Sequence, residues 1–565
     1  MKGMKKLLST LSLTFVLAAC STSGNTKRLD WSEYKNYGQG IEAVSDKFKN
    51  YDLNYDKEGF EKAKTAADEA AVNKNLGEFN RQASKALDIF SGIKGKTVVA
   101  RARYYASAES ADKKIYEDLY DTYLGFYPWY YKFLNHVNES SPEIRKSFFE
   151  DMTEEEIKQY ISDFYYTDES KVLDTEITAI QDSQEERYKK FAKAAGSAKT
   201  ITAYKTAMNS YISDSLNNFR SVIEKGNRYA ELFGFDDYMS YVYSEYYNRN
   251  YTCDFVADYA PLIEQYIIPL VDQYERAGST QVLSNPTLLD NFMNQNFCYE
   301  PSFQGDAIDA YMARIGGVMT EAYENFKTNG YYCFTSNSKS LGTAYVTSIS
   351  NGEPMIFFSS DYQSASTFVH EFGHYTVAYA NKDGHAFPYD IEETHSQANE
   401  MLFARYVQEF YKDSPNLDVY QFAAHQSAYE MLTNVILTFA TSEVETYVYQ
   451  NIDKKNSDIL EGVNAIWDKY YDINPSIGFF DSLYYWCNPI VSATGYYISY
   501  ATSGVAAVGA YVQACENFDN ARDNYLKLVN YPEDCKDVNK FFEYSGLYSP
   551  LEESTFVKLQ DVFTL

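Results

Sequence analysis

Between Thr367 and Ala380 the chain reads TFVHEFGHYTVAYA, an apolar run that carries His370, Glu371 and His374. Residues four apart share one face of a helix, so a helix here presents two imidazoles to a single point. Glu371 is then a carboxylate inside an apolar segment, and burying it requires compensation. Gly373 weakens the helix, which points to a packing or access need at that position. A pair of histidines on an ordinary helix is the plainer reading. Against it, the chain has six histidines in 565 residues, and four of them fall between 370 and 395.

The rest of the chain reads as helix. Gly (27) and Pro (13) are too few for a turn-rich β architecture. From Trp31 to Glu275 the apolar spacing is mainly helical, with Thr153 as an N-cap over an acidic first turn and a break at Gly234. From Asp418 onward helices rich in tyrosine are expected. The 56 tyrosines and 36 phenylalanines imply thick aromatic packing. One stretch differs: Gly342 to Ser360 carries β-branched and aromatic residues on both sides of Asn351-Gly352, which predicts a hairpin. Pro354 suits the edge of a small sheet. Asp383-Gly384 is read as the stop of the motif helix, and Asp390 as the cap of the next. A formal charge of −29 excludes a nucleic-acid binder, which needs a basic footprint.

The N-terminus has a basic head (Lys2, Lys5, Lys6), an apolar stretch from Leu7 to Ala19, and small residues before Cys20. That is an export signal, too short to span a bilayer. Leu17 to Cys20, LAAC, resembles the lipobox of bacterial lipoproteins, which implies a lipid on Cys20 and a flexible tether after it. Six further cysteines (253, 298, 333, 487, 515, 535) form no CxxC pair and are read as free thiols or one or two bridges.

Two imidazoles with an adjacent glutamate are the H-E-x-x-H pattern. Zinc binds imidazole, takes one more protein ligand and keeps a position for water, whose proton Glu371 is placed to accept. Val377 and Ala380 stand where a metzincin needs Gly and His, so the third ligand is an acid on a later helix. Glu392, Glu393 and Glu400 are the candidates. Glu393 and Glu400 share a face, one to ligate and the other to steady an imidazole. Glu392 is read as compensating the helix dipole, and His395 faces elsewhere.

The segments KSLGTAY, PMIFF, STFVHEFGHYT and YDIEETHSQANEML together resemble the M3 family of zinc metallopeptidases, which includes thimet oligopeptidase and oligoendopeptidase F. The likeness is sharpest from about 340 to 402. It implies a mainly α, ellipsoidal metallopeptidase with a deep substrate channel and a small β-hairpin or sheet beside the motif helix. Residues 1–19 would be signal, 20–30 tether, 31–200 an N-terminal helical region and 201–565 the catalytic region. It implies one Zn2+ held by His370, His374 and Glu393, with Glu371 as the base and Glu400 as support. Gly342, Ala344 and Tyr345 would contact peptide substrate. In the family a downstream loop supplies a His and tyrosines near the developing oxyanion. Here Tyr496, Tyr497 and Tyr500 are available, Tyr496 for substrate and the other two for catalysis, but Asn488 or Ile490 stands about where the His would be. The expected protein is a monomeric zinc endopeptidase for short peptides, lipid-anchored on the outer face of a bacterial membrane. The alternative is a catalytically impaired, peptide-binding lipoprotein.

Overall fold

The first half of the chain is a stack of long helices started by side-chain caps. The computed structural model describes residues 43–563, apart from 276–300, 472–482 and short breaks at 151, 336, 350–351, 360–363, 382–383, 414–416 and 484–485. Asp56, Asn75, Thr153, Thr167 and Thr200 each accept a hydrogen bond from the backbone N–H three residues on. They open the helices Lys57–Val72, Leu76–Ser107, Glu154–Asp163, Asp168–Ser197 and Ile201–Leu232. Each cap satisfies an amide that the helix cannot. At Thr153 the Glu156 side chain returns the bond, completing a capping box. Apolar faces of these helices meet through rings: Phe60, Phe90 and Phe126 stack at one level, Phe79 and Phe133 at another. The last helix of the stack ends just before Gly234, which holds a φ of +81° that a side chain would resist.

A three-stranded sheet follows: β1 (Tyr331–Phe334), β2 (Ala344–Ser348) and β3 (Pro354–Phe358), in the order β1-β3-β2. β2 and β3 are the expected hairpin, with Ala344 opposite Phe358 and Gly352 at φ +74° in the turn. Asn351 lies outside the described residues. Pro354 is not at a sheet edge. It opens the central strand, and β1 begins to pair only at Met355, so the missing N–H of the proline has no bond to make on that side. The outer side of β1 is met by residues 43–45, through Phe334 N–H to Ala43 O and Ser45 N–H to Tyr332 O. β2 is left as the edge.

The motif helix (Ala365–Ala380) starts at Ser364, whose hydroxyl accepts from Thr367 N–H, and lays Phe368 against Phe334 and Phe358 of the sheet. It ends at Asn381, ahead of the turn at Gly384. The acid helix (Tyr389–Phe410) begins after Pro388. Asp390 does not cap it, because its side chain is drawn into a buried ion pair described below. A helix of mostly small residues (Ile498–Glu516) lies along the acid helix, and the long helix Leu417–Gln450 packs on it in turn. At Gly504 a Cβ would come within 2.5 Å of Val435 Cγ2. Small residues let these buried backbones approach.

Candidate metal centre

The close approach of two helices creates the site. A Cβ on Gly373 would lie 2.6 Å from the carbonyl oxygen of His395 and 2.8 Å from the Cα of Ser396. The glycine therefore lets the motif helix touch the backbone of the acid helix. Asn399 Nδ2 donates to Val369 O at 2.8 Å and ties the two together. In this register His370, His374 and Glu393 converge, each offering one ligand atom, all within 4.8 Å of one another. Glu393 Oε2 is 3.7 Å from both His370 Nε2 and His374 Nε2. That is too long for hydrogen bonds and leaves room for an ion between them.

The neighbours of the cluster set its chemistry. Glu400 accepts from His370 Nδ1 at 2.7 Å and from Ser366 Oγ at 2.5 Å. A carboxylate only accepts, so Nδ1 carries the hydrogen and Nε2 is left as a ligand atom. Burial opposes a proton on His370, but the Glu400 bond and the charges of Glu400, Glu371 and Glu393 outweigh it and push the imidazole up to about 9, so a cation that binds Nε2 displaces a proton there. Burial pushes the Glu371 carboxyl up to about 7, against the pull of both histidines. Burial acts the same way on Glu393, yet the His374 and His370 imidazoles and the Tyr496 hydroxyl hold it below its ordinary value. Glu371 Oε2 and His374 Nε2 are buried and make no hydrogen bond. Two orphaned polar atoms beside three convergent ligand atoms suit a tetrahedral cation with an open position. The donor set of two imidazoles and one carboxylate suits zinc.

Arg249 escaped the reading of the sequence. It is buried and pairs with buried Asp390, Nε to Oδ2 at 3.0 Å. Tyr251 and Thr502 donate to the other oxygen at 2.6 and 2.7 Å. Arg249 also donates to Gly495 O at 2.7 Å and Ser499 Oγ at 2.6 Å. The pair thus joins the start of the acid helix to the start of the small-residue helix. That junction aims Tyr496, whose hydroxyl donates to Glu393 Oε1 at 2.5 Å. An arginine amid YYNRNY was the available signal, but its partner is 141 residues away.

Comparison with solved structures places this arrangement. Pz peptidase A, solved with an inhibitor, superposes with a TM-score of 0.63 at 14% identity, over 92% of this chain and 99% of that one. A protein described as an oligoendopeptidase F superposes at 0.66, with 14% identity and coverage of 92% and 98%. Another so described, from Bacillus anthracis str. Ames, superposes at 0.62, with 16% identity and coverage of 93% and 97%. The fold is that of the oligoendopeptidase F peptidases. No family model and no curated protein matches the sequence.

Within this oligoendopeptidase F-like fold the other selected residues are spread. Tyr496 is buried, and its hydroxyl donates to Glu393. Tyr497 and Tyr500 are buried with their rings 6.0 and 5.0 Å from that of Tyr496. Gly342 is exposed at the approach to β2, while Ala344 and Tyr345 are buried. The Tyr345 ring lies 4.7 Å from the Arg101 guanidinium. Asn488 stands at the start of the short helix Pro489–Ser492, which packs on the helices 168–197 and 201–232. His395 faces away from the cluster, with Nε2 3.4 Å from Leu528 O. Glu392 is half-buried in the first turn of the acid helix. Cys253, Cys333, Cys487, Cys515 and Cys535 are free thiols. Cys20 and Cys298 lie outside the described residues. No helix among the described residues is long and apolar enough to cross a membrane.

Proposed function

We propose that the chain is a zinc-dependent endopeptidase for short peptides, exported and held by a lipid on Cys20 at the outer face of a bacterial membrane. The observation that carries the catalytic reading is the convergence of His370, His374 and Glu393 within 4.8 Å, beside the orphaned Oε2 of Glu371. A zinc ion held by these three side chains would polarise a peptide carbonyl and acidify water. The remaining work belongs to the chain. Glu400 holds the His370 ring with Nε2 facing Glu393. Tyr496 and Ser396 hold the Glu393 carboxylate through its two oxygens, at 2.5 and 3.3 Å. Glu371, buried beside the ligand cluster with Oε2 making no hydrogen bond, accepts the proton of the attacking water and passes it to the departing amine. His370 and His374 keep some solvent exposure, 11% and 17% of their side chains, which supports entry of water.

The free edge of β2 supports substrate binding by strand addition, through backbone rather than through the buried Tyr345 ring. The shared fold with oligoendopeptidase F structures supports a channel that selects peptides by length. Export and anchoring rest on the basic head, the apolar stretch and LAAC before Cys20. The test compares a soluble chain begun at Ser21, without the lipid-bearing cysteine, with its Glu371→Gln variant. Equal zinc content is expected, with hydrolysis of a mixed peptide pool lower by about 100- to 10,000-fold in the variant. Equal turnover in both would remove Glu371 from the reaction. A zinc-loaded parent that turns over no peptide would favour the peptide-binding lipoprotein instead.

A further inference from the structure

A second recess lies between the N-terminal helices and the segment 238–247. It encloses about 330 Å3, within the range of small-ligand sites. Asp163, Asp174 and Glu245 line it, and among the described residues no lysine, arginine or histidine does. Glu245 is engaged by Lys536 at 3.1 Å. Asp174 accepts one hydrogen bond, from Tyr166 at 3.2 Å, and pairs with no cation among the described residues. Burial pushes its carboxyl up to about 6, so it is still mostly ionised at neutral pH. Asp174 is half-buried, and a carboxylate partly withdrawn from water with no cation beside it is left under-compensated.

Much of the rest of the lining is aromatic. Tyr165 meets Phe233 edge-on at 5.5 Å, Phe233 meets Tyr241 at 5.5 Å, and Tyr241 meets Phe235 edge-on at 5.4 Å. All four rings are partly exposed. Ring faces attract ammonium and guanidinium groups, and the −29 charge of the chain draws cations from a distance. One wall of the recess backs onto the buried rings behind the metal centre. Tyr247 and Thr494 both line it, and the Tyr247 ring rests 5.7 Å from that of Tyr496, the partner of Glu393.

We propose that this recess binds an organic cation, the guanidinium or ammonium of a peptide side chain, with Asp174 as counter-ion and the rings of Tyr165, Phe233 and Tyr241 as walls. The peptide as source rests on the peptidase reading above; the cation site does not.

Calorimetric titration of the mature chain with butylguanidinium, and with neutral butylurea of similar shape, tests the site. Saturable one-to-one binding of the cation alone is expected. Asp174→Asn should weaken it at least about tenfold and Tyr241→Leu about threefold, both with the thermal melt of the parent as a folding check. Equal binding of the two probes, no binding of the cation, or undiminished binding by a folded Asp174→Asn variant would overturn the site. The source is tested with peptides that differ only by arginine or citrulline. The parent should show about a tenfold higher KM for citrulline with kcat unchanged, and Asp174→Asn should erase the difference. If butylguanidinium binds but the two peptides react alike, the peptide origin is overturned and a free cation is the ligand. If no peptide reacts in any form, the peptidase reading fails, and calorimetry still decides the cation site.

Discussion

Replacing Gly373 with alanine sets two effects against each other. In an ordinary helix interior alanine is the better residue by about 1 kcal/mol. Here the added Cβ would sit 2.6 Å from His395 O and 2.8 Å from Ser396 Cα. Both are backbone atoms of a packed helix, so no rotamer change relieves the contact. Restoring ordinary contact at 3.4 Å requires the helices to part by about 0.8 Å. Overpacking of this kind costs about 1–3 kcal/mol, so the clash outweighs the gain in propensity. The larger consequence falls on the centre. His370 and His374 flank Gly373, and Glu393 is two residues from His395, so the same separation draws the carboxylate from both imidazoles. Metal–ligand distances tolerate only about 0.2 Å. Zinc affinity of Gly373→Ala, measured by competition with a chromogenic chelator, should fall at least about tenfold. Urea unfolding of the metal-free protein should show a net loss of up to about 2 kcal/mol. A variant that is more stable than the parent and keeps zinc affinity within twofold would refute the close-approach argument.

Three further outcomes follow from the same geometry. Glu400→Ala removes the acceptor that orients His370, and zinc affinity should drop by about 10- to 100-fold in the same competition assay. Arg249→Met leaves Asp390 buried without its cation and should cost about 3–5 kcal/mol in urea unfolding, with much of that recovered when Asp390 is also made apolar. Burial pushes the Glu445 carboxyl up to about 8, while two contacts from Gly495 N–H and the nearby Arg249 only partly oppose it. From about pH 4.5 to 8 the unfolded chain releases this proton and the native chain keeps it, so the contribution of Glu445 to stability falls as pH rises and is level above 8. Glu445→Gln should remove that slope, and unfolding curves of parent and variant should diverge in favour of the variant between pH 5 and 8.

Residues close in sequence were the easiest to interpret. The helix through His370 and His374, the cap at Thr153, the break at Gly234 and the hairpin around Gly352 each follow from local sterics and hydrogen bonding, which a dozen residues contain. The places where local reading went astray are those where a distant partner intervened. Asp390 has the chemistry of a cap, but Arg249 captures its side chain, and the helix starts at Tyr389 without it. Pro354 suits an edge by its missing donor, yet β1 arrives one residue later and makes the strand central. Tyr496 stands in a loop rich in hydroxyls, and the bonds of Arg249 to Gly495 O and Ser499 Oγ fix the backbone from which its own hydroxyl reaches Glu393.

The chain alone therefore determined that two imidazoles share a helix face with a glutamate between them, because helix periodicity needs nothing beyond the neighbouring residues. Tertiary structure alone decided that Glu393 reaches those imidazoles, that Arg249 secures the helix carrying it, and that Asp174 lines one recess with Tyr165, Phe233 and Tyr241. Such distances depend on how closely whole helices approach, and that is set at contacts such as Gly373 on His395, between residues that no local pattern relates.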